Sequence, residues 1–224
     1  MATIETALIS FFSIRGVKLT PIPTESQSGQ RTPDFVVNYP QLEAILELKE
    51  IETNDEEAIQ ISLVERGKVG SIDHSNDVAR FVAKIRDANR QLKQKCAGRP
   101  GITVIADTRS FFAQALTPQR ILAEAMFGRE TLWVTMPQPT VQCTHEVVAH
   151  DFGRGRSLGP NANTTTSAIA LFVEKADGSH TLLIHHNPNA AAPLPRGLLC
   201  DHSVREFIIP TTRAFSGFKE ITPK

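Results

Sequence analysis

The chain has 224 residues, 41% hydrophobic and 21% charged, with 24 basic and 24 acidic side chains for a formal net charge of zero. That composition supports a buried core and excludes a protein that holds nucleic acid by bulk charge, though not one with a local basic surface. No run approaches the ~18–20 continuous apolar residues of a membrane helix. The early acid Glu5 argues against a secretory leader, and Cys96, Cys143 and Cys200 make no disulfide framework, so a cytoplasmic setting is expected.

In chain order, residues 3–14 predict a short helix with Ile4, Leu8, Phe11 and Phe12 as its apolar stripe and Gly16 as its stop. An extended run over 17–22 and a polar loop over 26–32 follow. Phe35-Val36-Val37 predicts a strand, 38–41 a turn, and 42–51 a longer strand. The polar, Gly-interrupted stretch 52–76 predicts a loop with little regular structure. Asn76 or Asp77 then caps a helix running to about Cys96, with Phe81, Ile85, Ala88, Leu92 and Cys96 on one face. Arg80, Lys84, Gln91 and Lys95 flank that stripe on one side, and Arg86, Arg90 and Lys93 on the other. Residues 102–106 predict a buried strand.

Beyond it the pattern predicts a helix over 118–127, a strand over 132–135, a hairpin of 167–174 with 180–186 turning at Asp177-Gly178, and a last strand over 207–209. No linker separates this half, so its strands are expected to extend or cover the first sheet.

The neutral total hides a segregation. Residues 41–57 carry seven acids and one base, and residues 78–99 carry seven bases and one acid. An acidic strand followed by a basic helix brings metal-binding carboxylates near phosphate-binding cations; the plain alternative is two solvated faces.

Within this frame, Pro33-Asp34 precedes Glu47-Leu48-Lys49. If the hairpin turns between Pro40 and Gln41, paired residue numbers sum to 81 and Asp34 lies opposite Glu47. Alternation along the longer strand puts Leu42, Ala44, Leu46 and Leu48 on the core side and Glu43, Ile45, Glu47, Lys49 and Ile51 on the other. Two carboxylates converging from neighbouring strands suit a hard divalent cation, with the Leu48 carbonyl as a further oxygen. Such a cation activates water and binds a phosphoryl oxygen, while Lys49 offsets charge on the phosphate.

Pro33-Asp34…Glu47-Leu48-Lys49 resembles the signature of the PD-(D/E)XK, or restriction-endonuclease-like, nucleases. The resemblance covers residues 1–106. It implies an α/β fold with an αβββαβ core and a mixed sheet, here with a C-terminal half (107–224) of the same domain adding strands and a helix. It also implies a Mg²⁺- or Mn²⁺-dependent nuclease with Asp34 and Glu47 as metal ligands and Lys49 as the catalytic lysine. Many members place an additional acid on the first helix, where Glu5 stands (Glu25 in the loop before Pro33 is the alternative). Others carry a Gln on the helix after the third strand, where Gln91 stands, although Lys95 departs from the Tyr of that motif.

The expected substrate is DNA rather than RNA, with Arg80 and Lys84 as phosphate contacts. The loop bearing Arg154 and Arg156 is a further contact; its glycines do not spell a P-loop. No membrane is expected, and a homodimer or partner protein would supply missing recognition. The rivals are a non-catalytic nucleic-acid-binding or assembly module that kept the fold, and a metal-dependent hydrolase of another substrate. Cys143-Thr144-His145 and Cys200-Asp201-His202, with His150, match no common zinc spacing. His185-His186-Asn187 does not make a His-Asn-His nuclease, because adjacent strand residues face opposite ways.

Overall fold

The computed structural model describes residues 3–23, 32–71, 75–109, 119–134, 147–152, 156–199, 201–209 and 218–221. In chain order the elements are α1 (Ile4–Ser13), β1 (Lys18–Pro21), β2 (Phe35–Tyr39), β3 (Leu42–Ile51), α2 (Asp55–Glu65), α3 (Ser75–Lys95) and β4 (Gly101–Asp107). These are followed by α4 (Gln119–Phe127), β5 (Glu130–Val134), β6 (Val147–Phe152), β7 (Thr166–Glu174), β8 (His180–His186), β9 (Val204–Ile208) and β10 (Lys219–Ile221).

The chain is α/β, built on a mixed eight-stranded sheet in the order β1-β2-β3-β4-β7-β8-β9-β10. β1, β2 and β3 form an antiparallel meander, and β4 lies parallel to β3 after the α2–α3 crossover. β7 continues the sheet parallel to β4, then β7 and β8 pair as an antiparallel hairpin. At that turn Gly178 takes φ +77° beside Asp177, whose Oδ1 accepts from the Ser179 N–H at 2.9 Å. β9 joins β8 in parallel and β10 closes the edge, so β7 to β10 of the second half extend the first sheet, one of the two placements expected. β5 and β6 pair separately.

Two layers cover the sheet. On one face Leu8, Phe11 and Phe12 of α1 pack with Val37, Ala44, Leu46, Val104, Ala170 and Phe172. On the other, Phe81 and Ile85 of α3 and Leu122 and Met126 of α4 pack with Ile51, Ile105 and Ile169. Each fully buried Val, Leu, Ile, Phe or Met among them contributes about 1.5–3 kcal/mol relative to exposure. Lower down, Leu92 and Cys96 close over Ile45. Here the start of β4 is hemmed in by the segment leading into β7 and by the end of α3: a Cβ on Gly101 would lie 2.7 Å from the Thr165 carbonyl oxygen, 3.0 Å from Cys96 Sγ and 3.3 Å from Leu92 Cδ1. A residue without a side chain at this point permits the approach.

The stretch 52–76 corrects the expectation of a loop, because it contains α2. Asn54 caps it reciprocally: its Oδ1 accepts from the Glu57 N–H at 2.8 Å, and Glu57 Oε2 accepts from the Asn54 N–H at 2.8 Å. Two donors that the first turn would leave open are thereby satisfied. The helix shows no apolar stripe, and Glu57 is its one buried residue, with Ile59 and Val64 exposed. It is moored by ions instead of packing. β1 forms over the shorter span Lys18–Pro21, and α3 begins at Ser75, so both expected caps, Asn76 and Asp77, lie inside its first turn. β6 and β10 were not foreseen; both are short and lie at sheet edges or in the separate pair.

Candidate active site

Every β2–β3 pair, from Phe35↔Leu46 to Tyr39↔Leu42, sums to 81, the register expected from the turn. Asp34 sits immediately before β2, opposite the level of Glu47. Its Oδ2 accepts from the Leu48 N–H at 2.7 Å, so the carboxylate occupies the ladder position that β2 vacates. In an extended strand a residue's N–H and C=O point to the same edge. The Leu48 carbonyl is therefore directed to the edge where Asp34 lies. Leu46 and Leu48 pack on the α1 face, and Glu47 and Lys49 lie on the opposite face, under α3.

Glu47 is 2% exposed. Its Oε1 meets Lys49 Nζ at 2.7 Å, and its Oε2 is buried with no hydrogen-bond donor among the described residues. Burial is the largest influence on its carboxyl; the Lys49 bond opposes it, the Asp34 charge adds to it, and the net result is a pKa pushed up to about 7. Asp34 is also raised, by burial, against the pull of the Leu48 N–H and the Lys49 charge. For Lys49, burial disfavours the ammonium, but hydrogen bonds to Asp87 and Glu47 outweigh it and hold its pKa above the ordinary value.

Two residues beyond the sequence reading enter here. Asp87 of α3 reaches Lys49 Nζ with Oδ2 at 2.6 Å, and Gln91, one turn on, donates Nε2 to the same oxygen at 3.4 Å. Thr103 on β4 is the register partner of Glu47 and is fully buried; its hydroxyl also has no partner among the described residues. Helical spacing put Gln91 on the correct flank, and Asp87, four residues earlier, shares it. An acid within a run of bases was the available signal for Asp87. For Thr103 nothing local marks the site.

The donors fit a hard divalent cation: two neighbouring carboxylates, one with an orphaned buried oxygen, and a strand-edge carbonyl, with no thiolate or imidazole among them. Among the described residues no group of three or more His, Cys, Asp or Glu side chains is arranged to hold a metal. Two protein carboxylates nevertheless match Mg²⁺, which keeps several of its waters.

The remaining candidates are placed differently. Glu5 is exposed in the first turn of α1, the layer covering the opposite face of the sheet, and is not brought to the cluster. Arg80 is not a free phosphate contact: its Nη1 bonds Glu57 Oε1 at 2.8 Å, and its Nη2 donates to the Glu52 carbonyl. Lys84 is half-buried on the flank that carries Asp87 and Gln91, and has no ion-pair partner among the described residues. Arg99, just past α3, pairs with Glu43 of β3, and Arg80 of α3 pairs with Glu57 of α2, so the acidic and basic segments neutralise each other in part. Arg156 is exposed, with its stem against Gly159. Arg154, Glu25, Cys143, His145 and Cys200 lie outside the described residues, as does the side chain of His150.

His185 is fully buried and stacked on Phe207 at 4.8 Å, and burial drops its pKa to about 3. His186, facing the other way, bonds Glu206 at 2.9 Å. Among the described residues no helix is long and apolar enough to cross a membrane. Compared with family models, curated proteins and solved structures, the chain finds no match.

Proposed function

We propose that the chain is a divalent-metal-dependent nuclease hydrolysing phosphodiester bonds in DNA, built on a restriction-endonuclease-like core. One observation carries this reading. Asp34, from the head of β2, meets Glu47 and Lys49, from one face of β3, at a single largely buried point on an α1-β1-β2-β3-α2-α3-β4 framework, in which α2 is an addition to the αβββαβ order. Asp34, Glu47 and the Leu48 carbonyl would hold Mg²⁺ or Mn²⁺, which supplies Lewis acidity and a bound water of lowered pKa. Lys49 offers a charged donor to the negative charge that gathers on the phosphoryl oxygens. α3 closes over the pair and lowers the local dielectric, which strengthens that interaction. Lys84, a turn away on the same flank, contacts a neighbouring phosphate.

The test is incubation of the protein with supercoiled plasmid, single-stranded DNA and RNA in Mg²⁺, Mn²⁺ or EDTA, beside Asp34→Ala and Lys49→Ala. Metal-dependent cleavage lost in both variants is the expected result. A folded wild type that binds DNA in EDTA and cleaves nothing in either metal would instead identify a non-catalytic binding module.

The two flank cations separate in a binding experiment. Lys84→Ala is expected to weaken DNA binding uniformly across sequences and to reduce the slope of log Kd against log salt by about 1. Arg80→Ala is expected to leave that slope unchanged and to lower stability, because it removes a partner of buried Glu57. Anisotropy titrations in EDTA at several salt concentrations, with urea melts of both variants, check the pair.

A further inference from the structure

Lys49 carries an ammonium with three N–H donors on a stem of four rotatable bonds. Held by Glu47 alone, it would swivel about that one contact. The structure shows a second anchor: Asp87 Oδ2 lies 2.6 Å from Nζ, against 2.7 Å for Glu47 Oε1. The two anchors come from different layers, β3 and the 21-residue helix α3 packed over it. Gln91, one turn along α3, donates to the same Asp87 oxygen.

We propose that Asp87 is a positioning residue for Lys49: with Glu47 it fixes two of the three N–H directions, which leaves the third held in one orientation for a substrate oxygen. The proposal rests on the nuclease reading of the same site and adds a residue to it. Its chemistry is geometric. Two acceptors from rigid elements remove the rotational freedom of the ammonium before substrate arrives, so less ordering remains for the transition state. Asp87 is itself 34% exposed at its side chain, so replacing it leaves the core untouched.

The test uses the full chain with Asp87→Asn and Asp87→Glu. In ¹⁵N-labelled protein the Lys49 ammonium resonance, assigned by its loss in Lys49→Arg, is expected to be protected from exchange in wild type and in Asp87→Glu. It is expected to vanish into fast exchange in Asp87→Asn. In parallel, kcat for DNA cleavage should fall about 100-fold in Asp87→Asn with KM little changed, and Asp87→Glu should recover part of it. An ammonium equally protected in Asp87→Asn, or a kcat equal to wild type, would overturn the proposal. The resonance arm needs no turnover: a wild type that cleaves nothing removes the nuclease reading, and the exchange data still decide whether Asp87 orders Lys49.

Discussion

Glu47→Gln is expected to lower metal-dependent DNA cleavage by about 10²–10³-fold, and to change how stability depends on pH. The second effect follows from the position of Glu47 between the sheet and α3, where burial, offset in part by Lys49 and reinforced by Asp34, lifts its carboxyl from 4.5 to about 7. Between those two values the folded protein still binds a proton that the unfolded chain has released. Stability therefore falls as pH rises from 4.5 to about 7, and is fully retained below that window. A shift of this size corresponds to roughly 3 kcal/mol. Gln cannot ionise, so the variant lacks this loss.

Urea unfolding of both proteins at pH 5 and pH 8 measures the difference directly. Wild type should lose about 2.5 kcal/mol more than the variant over that interval, since part of the full shift is already lost at pH 5. Mg²⁺ at pH 8 should restore part of the loss in wild type and none in the variant, because the cation takes the place of the proton. An identical pH response in the two proteins would show that burial does not lift the Glu47 carboxyl.

Arg109→Met carries the largest expected cost in stability. The Arg109 side chain is completely buried and joins three carboxylates from separate elements. Its Nη2 meets Asp107 at 2.7 Å, and its Nη1 meets Asp77 at 3.1 Å and Glu57 at 3.3 Å. Burial works against the guanidinium charge, but Asp107 and Asp77 outweigh it and hold the pKa above arginine's ordinary value. Removing that charge leaves three buried carboxylates around an apolar side chain, a change that costs about 3–5 kcal/mol when one partner of a buried pair is lost.

The half-exposed pair Arg205–Glu220, at 2.7 Å, is the internal control: Arg205→Met should cost under about 1 kcal/mol. Denaturant midpoints of the two variants make the comparison. Hydrogen exchange adds a local signature, since α2 has Glu57 as its one buried residue and should lose protection first in Arg109→Met. Equal costs for the two substitutions would mean that the Arg109 cluster does not moor the crossover.

The β2–β3 hairpin was legible because its information is local. A short turn around Pro40-Gln41 sets the register, alternation sets the faces, and together they put Asp34 level with Glu47 and Lys49 beside it. The apolar stripe of α3 was legible for the same reason, since 3.6-residue spacing is a property of one segment. Helix α2 was readable in part: Asn54 and Glu57 stand at capping-box spacing, but no stripe follows them, because ion pairs to Arg80 and Arg109 replace apolar packing.

Asp87 stood out locally only as an acid among bases, and Thr103 not at all; no window of the chain shows what either adjoins. Thirty-odd residues or more separate each from the Glu47-Leu48-Lys49 segment that it adjoins, and its role depends on the crossover that lays α3 over β3 and sets β4 in parallel beside it. The same crossover turned Arg80 inward to Glu57 and left Lys84 without an ion-pair partner among the described residues, although both sit on one helical flank. Local sterics and alternation are set by neighbours in sequence. Which charges end up paired, and which buried oxygens are left without a donor, is set by segments that meet only when the sheet closes against its helices.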